Sequence, residues 1–277
     1  MNAISKIEWT ERTWNPITGC TKVSLGCKNC YAEREWRRLS ANKKTVYYER
    51  EFTDIRFHQD RINEPLKWKK PCRVFVNSMS DLFHEQIDDL RIASVFSMMR
   101  LANQHQYQIL TKRPERMQRI VEALTDLVGG VPESLLPSNC DIRPGANVWL
   151  GISAEDQATA NERIPHLLNT QASIRFLSLE PLLGPITLHK EWRRLDWVIV
   201  GGESGPNSRP MYTDWVISLR DQCRSAHIPF FFKQWGEFNT LGQRVGKRNA
   251  GRLLDGREWN QYPAAAVVRL RDSTPKI

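Results

Sequence analysis

Short apolar runs of β-type recur along this chain, and stretches patterned for helices fall among them. The runs are RVFVN (73–77), YQILT (107–111), NVWLGIS (147–153), IRFLSLE (174–180), DWVIVGG (196–202) and IPFFFK (228–233), with WNPI (14–17) a weaker first member. Helical patterning covers 85–104, 114–127, 156–168 and 212–226; Pro114 suits the first turn of one of these and Asp214 the first turn of another. Strands alternating with helices imply a parallel sheet with crossover helices. The expected fold class is α/β, a partial or complete (β/α) barrel, with an open doubly wound sheet as the structural alternative. The barrel is expected over 1–240, with GGVPESLLPSNCDIRPGA (129–146) as a loop insertion and 241–277 as a peripheral C-terminal tail.

Each strand is followed by a polar or strained cluster: the cysteine segment after the first, then SMSDLFHE (78–85), TKRPER (111–116), SAED (153–156), EPLLGP (180–185), GGESG (201–205) and KQWGE (233–237). In a parallel barrel all of these fall on one rim, at the carboxyl ends of the strands, where such folds place their sites. Loop residues are polar in any case, so one cluster alone means little, but the unbroken succession points to a site at that rim.

The segment WNPITGCTKVSLGCKNCYAER (14–34) holds Cys20, Cys27 and Cys30, half of the six cysteines in the chain. In a chain of this size thiols clustered this way read as ligands or catalysts, while Cys72, Cys140 and Cys223 read as buried small hydrophobes. A structural zinc wants four protein ligands. Cys27 and Cys30 make one CxxC half-site and Cys20 a third ligand; His58, Cys72 or His84 would have to provide the fourth. An iron–sulfur cluster fits the set better, because its irons prefer thiolates and three ligands on a cubane leave one iron open.

The pattern Asn15-Pro16-x-x-Gly19-Cys20…Cys27-x-x-Cys30-Tyr31-Ala32-x-Arg34 resembles the cluster loop of radical S-adenosylmethionine enzymes, especially those similar to spore photoproduct lyase. Those loops are commonly C-x3-C-x2-C, often followed by Tyr-Ala. This chain has C-x6-C-x2-C, with the insert at 21–26, and Asn29 where an aromatic often precedes the third cysteine. Over most of its length, through VFVNSMSDLFHE, LTKRPER, FLSLEPLLGPI, DWVIVGGESG and PFFFKQWGE, the chain resembles the three-Cys-motif family encoded by phages and bacteria, regarded as radical-SAM-like. The resemblance implies that Cys20, Cys27 and Cys30 bind a 4Fe-4S cluster whose open iron takes the amino and carboxylate groups of S-adenosylmethionine. It implies reductive cleavage of that cofactor to a 5′-deoxyadenosyl radical, and hence an electron donor. It also puts Ser78, Ser80 and Asp81 where related enzymes hold the methionyl amine.

Other rim residues are candidates on their own chemistry. Lys112 and Arg113 suit a carboxylate or phosphate, Arg bidentately and Lys as a point charge. Gly201 and Gly202 permit close approach of an adenine or ribose, with Glu203 to accept hydroxyl hydrogens and Glu180 facing the same space. Ser153 and Glu155 are weaker candidates, and Lys233, Gln234 and Trp235 close the last part of the rim. The bland readings are a helix N-cap at 78–81, a basic helix start at 112–113 and a tight turn at 201–203.

The net charge of +9 favours polyanionic partners, so a nucleic acid or modified nucleoside is the expected substrate class, and a partner protein remains open. The ten tryptophans are expected mostly to fill the core. The first residues carry no apolar signal core and no stretch approaches about 18 apolar residues, so a cytoplasmic protein away from membranes is expected. Two other readings stay open: a zinc-stabilised nucleic-acid-binding protein without catalysis, and an iron–sulfur protein that does not use S-adenosylmethionine. A metal-dependent hydrolase ranks lower, since the chain offers no HxH or HExxH pair.

Overall fold

A computed structural model describes residues 5, 7–127 and 142–264. Residues 129–141 of the expected loop insertion and 265–277 of the expected tail lie outside the described residues. In chain order the elements are β1 (Arg12–Trp14), β2 (Ile17–Thr18), α1 (Tyr31–Ser40), β3 (Arg56–Phe57), β4 (Arg73–Val76), α2 (Asp89–Leu101), β5 (Gln106–Thr111), α3 (Pro114–Leu127), β6 (Val148–Ser153), α4 (Gln157–Asn169), β7 (Ile174–Leu179), β8 (Trp197–Gly201), α5 (Thr213–Ser225), β9 (Phe230–Gln234) and α6 (Lys247–Ala250). Seven strands form one sheet in the order β1-β4-β5-β6-β7-β8-β9, with every neighbouring pair parallel. The sheet curves into a half-barrel, the partial barrel expected from the alternation; β2 and β3 pair antiparallel beside it.

The apolar runs became strands β4 to β9. The first strand does not run through WNPI. Asn15 and Pro16 separate β1 from β2, and Pro16 has no N–H to give a ladder. The helix expected from 85 begins at Asp89, because Asp88 caps it by accepting the Arg91 N–H at 2.9 Å. Between β7 and β8 the chain crosses through a 3-10 turn, Lys190–Arg194, in place of an α-helix.

Along each strand the side chains alternate between two cores. Val74 and Val76, Ile109, Leu150 and Ile152, Leu177 and Leu179, Val198 and Val200, and Phe230 and Phe232 pack outward against the helices. Phe75, Trp149, Phe176, Trp197, Ile199 and Phe231 point into the concavity and enclose Trp9. The Trp9 ring lies edge-on to Phe75 at 4.8 Å and to Trp197 at 6.4 Å. Near the chain's other end, Tyr262 stacks at 5.1 Å on Trp197 and takes the Arg73 guanidinium over its face at 4.5 Å. Segments from both ends thus close the floor of a barrel whose strands do not close it. Among the described residues no helix is long and apolar enough to cross a membrane.

Candidate active site

The inward row changes character toward the strand carboxyl ends. Two residues beyond Phe75 is Asn77; beyond Phe176 come Ser178 and Glu180; beyond Phe231 comes Lys233. These polar side chains, with Ser153, line a cavity of ≈ 510 Å³ above the aromatic floor. Cys20, Cys27, Cys30, Ser78, Ser80, Asp81, Lys112, Ser153, Glu180, Gly202 and Glu203 all line it. Gly201 does not: a Cβ there would meet Glu180 Cγ at 3.3 Å and Lys233 Cβ at 3.4 Å, so the missing side chain makes room for that pair. At Gly202 a Cβ would lie 2.0 Å from the Trp235 carbonyl oxygen, so its close approach is to the end of β9.

The cysteine loop covers the mouth. Gly19, at φ +92°, precedes it, and a Cβ there would lie 2.3 Å from the Asp54 carbonyl oxygen, so only glycine serves. Cys20, Cys27 and Cys30 are half-buried free thiols. Burial, reinforced by the Asp81 carboxylate, pushes the Cys20 thiol up to about 12, although Arg113 donates toward its sulfur at 3.8 Å. Burial also raises Cys30. Without metal these two thiols hold their protons, and ligation must displace them.

Three charged side chains from the strand ends reach the loop. Arg113, after β5, donates to Thr21 Oγ1 at 3.0 Å and to its carbonyl at 3.4 Å, while pairing with Asp81 at 3.2 Å. Glu155, after β6 and 0 % exposed, accepts the Gly26 N–H at 3.1 Å and pairs with Arg163 at 3.2 Å. Glu203, after β8, accepts from Asn29 Nδ2 at 2.9 Å and pairs with Arg209 at 2.5 Å. Arg209 in turn donates to the Leu25 carbonyl at 3.0 Å. Burial works to raise the Glu203 pKa, but the bonds from Arg209 and Asn29 outweigh it and hold the carboxyl low. In the sequence Asn29 stands out only as a departure from the resembled loop, and nothing marks Arg163 or Arg209 as parts of the site; folding brings Asn29 to Glu203 and Arg209 to the Leu25 carbonyl from far along the chain and sets Arg163 beside Glu155.

Asp81 is not a helix cap. Its carboxylate accepts the Thr111 hydroxyl at 2.7 Å and the Lys112 N–H at 3.1 Å, tying the end of β4 to that of β5. Ser80 donates to the Ile17 carbonyl at 2.8 Å and Ser78 to Asn15 Oδ1 at 3.2 Å. Lys112 donates to Ser153 Oγ at 2.5 Å. Deeper in, Glu180 accepts from Lys233, from Ser178 at 3.3 Å and from the Trp9 indole N–H at 3.2 Å. Burial acts to discharge Lys233, but the Glu180 carboxylate prevails and raises its pKa. Tyr31 is 45 % exposed as a residue, yet its hydroxyl donates to the Ser78 carbonyl and burial raises its pKa: the ring walls the cavity while its tip is shut in. Trp235 is core, with its indole N–H on the Leu253 carbonyl.

Whether this set fits a cluster is a matter of donors. Three thiols of one loop line the cavity, joined by no histidine and no further cysteine among the described residues. The side chains considered for a fourth zinc ligand are engaged elsewhere: His58 with Thr18 Oγ1 at 2.7 Å, His84 with Thr21 Oγ1 at 2.9 Å, and Cys72 with His105 Nδ1 at 3.4 Å. Among the described residues no group of His, Cys, Asp and Glu side chains converges on a single metal ion. Three soft donors and a lining without a fourth suit a cluster with one iron free of protein ligands.

Among solved structures, this fold is similar to a Tyr→Phe variant of spore photoproduct lyase, at 11% identity and a TM-score of 0.50 over 85% of this chain and 79% of that one. It is also similar to spore photoproduct lyase complexed with dinucleoside spore photoproduct, at 12% identity and a TM-score of 0.45 over 80% and 63%. A Cys→Ser variant of that lyase matches at 14% identity and a TM-score of 0.44 over 73% and 58%. The chain thus spans 58% and 63% of two of these structures. At such identities the likeness is one of fold, and the fold is radical-SAM-like. No curated protein matches in sequence. Residues 4–263 match the family described as "Protein of unknown function (DUF5131)", and the chain belongs to that family.

Proposed function

We propose that this member of the DUF5131 family is a radical S-adenosylmethionine enzyme, in agreement with its resemblance to the three-Cys-motif proteins of phages and bacteria. The observation that carries the reading is the placing of Cys20, Cys27 and Cys30 on one loop over the carboxyl-end mouth of a half-barrel, lining a cavity that brings no other soft ligand among the described residues. These cysteines would hold a 4Fe-4S cluster. When bound, the reduced cluster supplies the electron that cleaves S-adenosylmethionine to methionine and a 5′-deoxyadenosyl radical able to take hydrogen from a substrate. The protein contributes binding, orientation and exclusion of water.

The cavity volume lies within the ~300–1,000 Å³ usual for small-molecule and cofactor sites. Lys112 brings a positive charge held by a neutral hydroxyl, Ser153, and so suits the cofactor carboxylate. Ser78, Ser80 and Asp81 are the groups proposed for its amine, and Gly202 and Glu180 border the space proposed for its nucleoside. The aromatic floor keeps water from entering from below. As substrate we propose a nucleic acid or modified nucleoside, supported by the net charge of +9 and by Arg34 and Lys247 in the cavity lining.

The test is chemical. Anaerobically reconstituted protein, given dithionite and S-adenosylmethionine, is expected to release 5′-deoxyadenosine and methionine, and a Cys20→Ala, Cys27→Ala, Cys30→Ala chain is expected to release neither. Absence of 5′-deoxyadenosine from protein carrying a full cluster would refute the reading.

A further inference from the structure

The 20–30 loop has little hydrophobic packing to order it. Val23 is 44 % exposed and Leu25 67 % exposed, and its own backbone hydrogen bonds amount to a single turn: Cys27 N–H to the Ser24 carbonyl at 3.0 Å and Lys28 N–H to the Leu25 carbonyl at 3.2 Å. Beside the Cys20 N–H on the Phe52 carbonyl, Thr21 with His84, Asn29 on the Asn207 carbonyl and Lys22 with Glu33, what fastens it is charge supplied from below by three different strand ends. Arg113 takes Thr21, Glu155 takes Gly26, and the Glu203–Arg209 pair takes Asn29 and the Leu25 carbonyl. Each of Arg113, Glu155 and Glu203 is buried, and each is fixed by its own counter-ion: Asp81, Arg163 and Arg209. The Glu155 carboxylate lies so close to the loop that a Cβ on Gly26 would meet its Cδ at 2.9 Å.

We propose that Arg113, Glu155 and Glu203 are positioning residues that hold the cysteine loop in its ligating shape before any metal arrives. This rests on the reading of Cys20, Cys27 and Cys30 as cluster ligands, and it explains how a loop with the 21–26 insert keeps its cysteines over the cavity. The fastening points bracket the ligands: Thr21 follows Cys20, Gly26 precedes Cys27, and Asn29 precedes Cys30. A polar Asn at 29, where an aromatic is common, is then the residue that reaches Glu203. Fixed partners spare the loop an ordering cost that metal binding would otherwise bear.

The test uses the full chain with Asn29→Asp, which sets a carboxylate against Glu203, and with Asn29→Ala, which removes the bonds from Asn29 Nδ2 to Glu203 and to the Asn207 carbonyl and leaves the Glu203–Arg209 pair intact. Asn29 is half-buried and outside the core, and Glu155→Gln gives an independent second position. In the metal-free protein, amide hydrogen exchange over 20–30 is expected to speed up on the order of tenfold in Asn29→Asp and less in Asn29→Ala, with the sheet amides unchanged. Loaded with ferrous iron and sulfide, Asn29→Asp is expected to lose iron to a chelator at about 10–100-fold lower chelator concentration than the unaltered chain. Unchanged loop exchange together with unchanged iron retention would overturn the proposal. If exchange responds but the unaltered chain retains no iron, the ligand reading falls and the ordering of the loop stands.

Discussion

At the floor of the concavity Phe75, Trp149, Phe176, Trp197 and Phe231 enclose Trp9, while at its mouth the same strands present Asn77, Ser153, Ser178, Glu180 and Lys233. Both sets point inward, because side chains two apart on a strand share a face. One backbone therefore carries two environments, and the change from ring to charge along each strand divides them. The floor is held by non-directional burial, which tolerates no gap. The mouth is held by paired charges that would be costly to bury singly, and three of the pairs, Arg113–Asp81, Glu155–Arg163 and Glu203–Arg209, also touch the cysteine loop. Rigidity thus comes from below and chemistry from above, with Trp9 joining them through its indole N–H on Glu180.

That division can be broken from either side. Trp197 is fully buried among Trp9, Trp149, Phe176, Phe231 and Tyr262, so Trp197→Ala is expected to cost about 3–5 kcal/mol in urea unfolding. A loss below 1 kcal/mol, on the order of a surface change, would mean that the floor is not the rigid part. Glu155→Ala removes no ring but leaves Arg163 buried and unpaired, with an expected loss of about 3 kcal/mol. Gly151→Ala overfills the floor, since its Cβ would lie 2.5 Å from the Phe176 ring; about 1–3 kcal/mol is expected, from the same unfolding curves. Replacing Cys20, Cys27 and Cys30 by Ala is expected to change the metal-free protein's stability by less than ~1 kcal/mol, because half-buried thiols at the mouth contribute chemistry more than packing.

A further effect is one of pH. Burial lowers His58 from 6.5 to about 4, with Arg61 and Arg50 adding to the shift. The unfolded chain takes up the proton first, so this histidine's contribution is complete above pH 6.5 and is lost as pH falls toward about 4. The expected loss is on the order of 1–2 kcal/mol between neutral pH and pH 4.5, read from denaturation midpoints. His84 and His105, also lowered by burial, act in the same direction. A His58→Asn chain is expected to lose less stability on acidification than the unaltered one.

How much of this was legible beforehand follows from what each feature depends on. The strands β4 to β9 were readable because fully buried parallel strands are continuous apolar runs. Their carboxyl-end clusters were readable because a parallel sheet puts all those ends together, and of the candidate rim residues only Gly201, Glu155 and Trp235 do not line the cavity. The break at Asn15-Pro16 was missed because Trp14 and Ile17 look like one run although they belong to two strands. Trp9 was one tryptophan among ten; nothing local distinguishes the residue that fills the floor from those packed elsewhere. Least legible were the pairings. Asn29 meets Glu203, and Glu180 meets both Trp9 and Lys233, only after folding brings distant segments together. Whether a carboxylate is free to bind a ligand or already committed to an arginine is a property of those contacts, and the linear pattern does not record it.

The central claim is that the three cysteines hold a cluster with an iron left open to the cavity. Its most direct measurement is electron paramagnetic resonance of the anaerobically reconstituted, reduced protein, with and without S-adenosylmethionine. The expected result is a 4Fe-4S signal that shifts when the cofactor is added, showing that it reaches the iron without a protein ligand. A colourless protein carrying only zinc, or a cluster signal unmoved by saturating cofactor, would contradict it.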